Sequence, residues 1–147
     1  MAQEQSDLLA QCQANGLRNT PALRTLLEVL LAAELPQSLQ DLEGDEKLAA
    51  QCDRATIFRN LQRLENVGLL RRLNFAHKGA KFTLYQGSAH KEYLVCSQCG
   101  NVRELDLHCP VGPLEQSLAE QTGFSELTHE LTFYGVCPAC TSTGSGS

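Results

Sequence analysis

Residues 52–73 read CDRATIFRNLQRLENVGLLRRL, and their reading decides the architecture of the first half of the chain. Asp53 can cap a helix, Ile57, Leu61 and Leu64 recur on one helical face, and Gly68 suits a left-handed stop. The opposite face carries Arg54, Thr56, Arg59 and Arg63. These donors suit phosphates and base edges, and Phe58 beside them can pack against a thymine methyl in a major groove. Solvation of a surface helix is the plainer account of the same arginines. From Arg54 to Arg72 five arginines face one acid, Glu65, in a chain of formal net charge -5. Such a stretch is a local basic footprint. The acidic whole argues against unselective coating of nucleic acid.

Working outward, LRNTPALRTLLEVLLAA (17–33) has Thr20 as N-cap, Pro21 at the first helical position, and Leu23, Leu26, Leu27, Leu30 and Leu31 at helical spacing. A short helix over Ser6–Asn15, stopped by Gly16, precedes it. Pro36 ends the core helix, and Ser38 can cap one further short helix, SLQDLEGDEKLAAQ, with Leu39, Leu42 and Leu48 turned inward. After the arginine helix, LLRRLNFAHKGAKFTLYQ reads as two strands joined around Lys78 and Gly79. Three helices and a two-stranded wing make a winged helix-turn-helix. Cys12 and Cys52 lack partners at metal-ligand spacing and read as packing positions.

Downstream, four of seven cysteines form two CxxC pairs, Cys96/Cys99 and Cys137/Cys140. Each pair can aim two thiolates at one ion, and together they match a closed tetrahedral zinc site. Disulfides are the competing reading. An N-terminus without the look of a signal peptide favours reduced thiols and a cytoplasmic setting. The 147 residues are 42% hydrophobic and 20% charged, with no apolar run long enough to cross a membrane. The second half reads as strand (HKEYLVC), turn, strand (VRELDL), helix (PVGPLEQSLAEQTG) and final strand (ELTHELTFYGV), which would put His129 with Leu131 and Phe133 on one face. On pattern alone His129 is a satisfied, partly buried histidine. The fold class is α+β: a winged-helix domain over 1–86, an α/β metal-binding domain over 87–140, and a disordered tail over 141–147.

RNTPALRTLLEVL, ATIFRNLQRLENVGLLRRL, HKEYLVCSQCGNVREL and LTHELTFYGVCPAC, in that order and spacing, resemble the ferric uptake regulator (Fur) superfamily from about residue 10 to Cys140. The resemblance implies a dimeric, metal-responsive transcription regulator with an N-terminal DNA-binding domain and a C-terminal dimerisation domain, not an enzyme. CPVGPLEQSLAEQTGF running into the last motif is similar to the zinc uptake regulator (Zur) branch, its cyanobacterial members in particular. That likeness implies a zinc-loaded homodimer acting on palindromic, AT-rich double-stranded operators of zinc-homeostasis genes. Iron-, manganese- and peroxide-responsive regulators of the superfamily are the alternative.

The resemblance also implies site residues. It makes His129 a sensing ligand, together with His90 and Glu92 ahead of the first CxxC. The family's usual glutamate at the start of the long helix is missing around Val111 and Gly112, and the nearest donors are His108 and Cys109. The expected regulatory zinc site is therefore His90, Glu92, Cys109 and His129, with His108 as alternative ligand, beside the structural Cys96, Cys99, Cys137 and Cys140. A second regulatory site of many relatives is expected to be absent, since its places hold Thr83, Tyr93 and Glu104. For DNA, Arg59 is expected to read base edges, Arg18 and Arg54 to hold the backbone, and Thr20, Thr56 and Phe58 to complete the surface. A zinc hydrolase or deaminase would need HExxH, or HxE ahead of a CxxC, and neither is present. A zinc-ribbon interaction module would leave ATIFRNLQRL without a task.

Overall fold

The computed structural model describes residues 2–75, 79–85, 92–105 and 109–144. They form two compact units, Met1–Ala89 and His90–Ser147.

In the first unit, helices α1 (Ala2–Ala14) and α2 (Pro21–Ala32) are followed by a two-residue strand β1 (Gln37–Ser38) and helices α3 (Leu39–Glu43), α4 (Glu46–Gln51) and α5 (Arg54–Asn66). Strands β2 (Leu70–Phe75) and β3 (Gly79–Leu84) complete it. Caps fix most of these boundaries. The Thr20 hydroxyl accepts from the Leu23 amide at 3.1 Å, and Ser38 and Asp41 form a reciprocal capping box. The single helix expected over 38–51 is two, because Gly44 closes α3 and the Asp45 carboxylate, accepting from Lys47 and Leu48, opens α4. Asp53 opens α5 by accepting from Thr56, and Gly68, at φ 79, lets the chain leave the helix for β2.

β3 lies between β1 and β2, antiparallel to both, so the wing has a third short strand that the sequence pattern did not reveal. Two residues are too few to show alternation. Leu23, Leu26, Leu27, Leu42, Leu48, Ile57, Leu61 and Leu64 form the core with Phe82 from the wing. Cys12 joins them, fully buried, and burial raises its thiol pKa; Cys52 packs at the margin.

The second unit is a three-stranded sheet ordered β5-β4-β6, from β4 (Glu92–Cys96), β5 (Val102–Leu105) and β6 (Thr132–Gly135). β4 is antiparallel to β5 and parallel to β6. Helix α6 (Gly112–Thr122) connects β5 to β6, and α7 (Pro138–Gly144) follows. The final strand is shorter than expected: residues 128–131 are not strand, so two-residue alternation does not set the direction of His129. The stretch 141–144, expected as disordered tail, continues α7 because Pro138 suits a first helical turn. Residues 145–147 lie outside the described residues.

Leu61 is completely buried at the centre of the first core. Leu61→Ala is expected to destabilise this unit by about 2–5 kcal/mol, seen as a lower urea midpoint at unchanged slope. A loss below about 1 kcal/mol contradicts its placement, since such costs belong to sites away from the core.

Candidate metal centres and nucleic-acid interface

β4 ends at Cys96, and CSQCG turns the chain immediately. The Gly100 amide donates to the Cys96 carbonyl at 2.9 Å, and Gly100 takes φ 78. β6 ends beside it, with the Ser97 amide donating to the Gly135 carbonyl at 2.7 Å. Parallel pairing of β4 with β6 therefore brings the second CxxC to the first. All four thiol sulfurs lie within 4.8 Å of one another. The seven cysteines are free, and Cys99 Sγ is 3.7 Å from Cys137 Sγ. That distance excludes a bond between them and agrees with the roughly 3.8 Å edge of a tetrahedron with 2.3 Å zinc–sulfur arms.

Backbone amides of Cys99 and Cys137 donate to Cys96 Sγ at 3.5 and 3.3 Å. They favour the thiolate and lower the Cys96 pKa to about 5. Hydrogen bonding to Cys137, then Cys99, holds Cys140 protonated and pushes its pKa up to about 12. Four crowded sulfurs cannot all be anionic without a cation among them. The donor set thus fits a soft divalent metal, zinc above the harder ions.

A second cluster joins Glu92, Cys109 and His129, whose donor atoms also lie within 4.8 Å of one another. Glu92 opens β4 and is 2% exposed, and a buried carboxylate is costly unless its charge is met. His129 Nε2 is 4.0 Å from its Oε1 and 2.9 Å from Cys109 Sγ. Three of the four expected regulatory ligands thus converge; His90 and His108 lie outside the described residues. Val111 and Gly112 hold no acid, but Glu115, further along α6, reaches the cluster. Glu115 Oε2 hydrogen-bonds His129 Nδ1. Glu115 stands four residues after Val111, about one helical turn, so it keeps the same side of α6. The i+4 spacing was the available signal, and attention to Val111 and Gly112 alone missed it. At the second regulatory site of the relatives, Tyr93 and Glu104 face one another across β4 and β5.

On the first unit, Phe58 is 39% exposed, and Arg18, Thr20, Arg54 and Arg59 are exposed as well. Arg59 Nη2 donates to Thr56 Oγ1 at 3.2 Å, so these two expected contacts form one group. Arg54 bonds Glu43 at 3.1 Å, an exposed pair that competes weakly with a phosphate. Thr20 spends its hydroxyl on the α2 cap. Arg18 and Arg63 share a groove with Asn60 and Asn66. The basic footprint is shorter than the sequence suggested: Arg71 is buried, and Arg72 bonds Glu65 at 3.1 Å and covers the Phe82 ring at 5.4 Å. Both arginines build the wing.

A first unit with a basic helix and a wing, and a second unit that gathers a Cys₄ set and a Glu–Cys–His set able to hold metal, fit the class of metal-dependent DNA-binding regulators. The ferric uptake regulator family model matches residues 14–134, and the chain belongs to that family of metal-responsive transcription regulators, which are not enzymes. It is 33% identical to the ferric uptake regulation protein of Neisseria meningitidis, over 96% of this chain and 98% of that one. It is 28% identical to the peroxide operon regulator of Bacillus subtilis, over 95% of this chain and 94% of the relative. Among solved structures, the ferric uptake regulator of Pseudomonas aeruginosa with manganese matches at TM-score 0.72 and 26% identity, over 88% of this chain and 96% of that one. Among the described residues no helix is long and apolar enough to cross a membrane.

Because the Cys₄ cluster is closed by its own four sulfurs, Cys96→Ser is expected to lose one zinc per chain and, with it, the folded second unit. Zinc content and amide NMR dispersion check this. A dispersed spectrum with unchanged zinc would contradict it.

Proposed function

We propose that this chain is a zinc-responsive transcription regulator that binds palindromic, AT-rich operators as a metal-loaded homodimer, of the kind the zinc uptake regulator branch represents. The observation that carries the reading is a thiol, Cys109, against His129 Nε2 beside the buried Glu92. Sulfur with imidazole nitrogen suits zinc better than iron(II) or manganese(II), which favour nitrogen and oxygen donors. Glu92, Cys109 and His129, with His90 as fourth donor, would hold the regulatory ion. The ion supplies a positive charge that binds the carboxylate, the thiolate and the imidazole together. Cys96, Cys99, Cys137 and Cys140 would hold the structural one.

The residues do the rest of the work. Glu92 stands on β4, Cys109 before α6 and His129 before β6, so closing the cluster ties three segments of the second unit. Free chains would sample several arrangements of their winged helices, and the closed cluster would favour one. Two-fold symmetry then asks for two half-sites facing successive major grooves. Dimerisation through the second unit is supported by exposed Leu94 and Phe133, cross-strand neighbours on β4 and β6 at 38% and 45% exposure. At the DNA, Arg59 with Thr56 and Phe58 would read bases while Arg18 and Arg54 engage phosphates, with Thr20 holding α2 in place. Repression of zinc-import genes in the cytoplasm is the expected output.

A second reading, an iron-, manganese- or peroxide-responsive regulator, draws on the names of the relatives and on the oxygen donors of Glu92 and Glu115. It leaves Cys109 without a role.

The test is operator binding at buffered free zinc. His129→Ala and Cys109→Ser are expected to keep a folded dimer and its Cys₄ zinc but lose the second zinc and most zinc-dependent affinity. Normal zinc-dependent binding in both would place the sensing site elsewhere. Arg59→Ala is expected to lose about 1–3 kcal/mol of discrimination between operator and scrambled duplex, while Arg18→Ala weakens binding to both alike. Unchanged discrimination in Arg59→Ala would remove α5 as the reading element.

A further inference from the structure

The cluster contains a carboxylate that the ligand set leaves unused. Glu115, on the first turns of α6, meets His129 from the side opposite Cys109: its Oε2 bonds Nδ1, whereas Cys109 Sγ lies 2.9 Å from Nε2 and Glu92 Oε1 4.0 Å from the same nitrogen. An imidazole nitrogen against a carboxylate donates its proton. Nδ1 is therefore the N–H of this ring, and Nε2 presents its lone pair to the thiol and the buried acid. The two ring nitrogens point away from each other, so a carboxylate seated on Nδ1 cannot share an ion with Nε2.

Resting on the regulatory-site reading above, we propose that Glu115 is the positioning residue of that site: it does not ligate, but fixes the tautomer and plane of His129 so that Nε2 faces Cys109 and Glu92. A histidine ligand whose second nitrogen donates to a carboxylate is a better and better-aimed donor, and loss of such a partner typically weakens metal binding about 10–100-fold. Two features of this fold support the role. His129 lies on irregular backbone ahead of β6, where no strand register sets its direction. Helix α6 buries none of its residues, so the Glu115–His129 bond is also a link between α6 and the segment carrying the ligand. Cys109, three residues before α6 begins, meets the other ring nitrogen of the same histidine.

The experiment uses full-length dimer with the Cys₄ site filled by zinc and cobalt(II) titrated into the remaining site. The parent is expected to show a thiolate-to-cobalt charge-transfer band and a tetrahedral d–d envelope. Glu115→Ala should keep both spectra while weakening cobalt binding about 10–100-fold, and Glu115→Gln, whose amide oxygen still accepts from Nδ1, should lose less. In the metal-free protein, ¹⁵N NMR of His129 should report the Nδ1–H tautomer in the parent and a mixture in Glu115→Ala. An altered d–d envelope in both variants would make Glu115 a ligand and overturn the proposal. So would cobalt affinity within about twofold of the parent and an unchanged tautomer. A parent without any charge-transfer band, or with one that survives Cys109→Ser, would instead remove the regulatory site itself and the positioning role with it.

Discussion

The second unit depends on four sulfurs. The contiguous apolar core of buried residues runs from Leu8 to Phe82, all of it in the first unit. In the second, the buried apolar side chains among the described residues are Tyr93, Val95 and Cys96, and α6 buries none. A domain this small cannot balance its conformational entropy from so little burial and needs a staple. Cys96 and Cys99 stand at the β4–β5 turn, and Cys137 and Cys140 at the start of α7. A metal among them would cross-link both edges of the sheet through its central strand. The pairing of β4 with β6 is parallel, so it has no tight hairpin to set its register. The meeting of the two CxxC turns sets it instead.

That constraint leaves the second cluster to be built from less regular backbone. Glu92 sits at the start of the same strand whose end carries Cys96, but Cys109 and His129 come from irregular segments on either side of α6. The two clusters suit the two tasks proposed for them: structure for the four sulfurs, response for the mixed donors. The direct Cys109–His129 contact keeps the donors together.

The first unit was legible because its signals are local. Thr20, Ser38 and Asp53 are caps that act within three residues, and the leucines of α2 and α5 repeat on one face for several turns. Gly44 was ambiguous: a glycine inside a helical pattern can be tolerated or can stop the helix, and only Asp45 behind it, acting as a new cap, decides. Arg71 and Arg72 count toward the basic stretch in sequence but build the wing, because charge alone does not say which side chains are buried or paired. In the second unit the CxxC spacing predicted the set of four cysteines that the fold brings together. Glu115 was not found: its pairing with His129 spans fourteen residues of sequence, and its one local trace is the i+4 spacing from Val111. His129 was proposed as a ligand by likeness to a family, while the strand argument for its direction rested on residues that form no strand.

The central claim is that Cys109 and His129 bind the responsive ion, and anomalous diffraction at the zinc edge from zinc-loaded crystals tests it most directly. Two peaks per chain are expected, one inside the Cys₄ cluster and one about 2.3 Å from Cys109 Sγ and about 2.0 Å from His129 Nε2. A single peak at the Cys₄ cluster, or a second peak bonded to neither residue, would contradict the account.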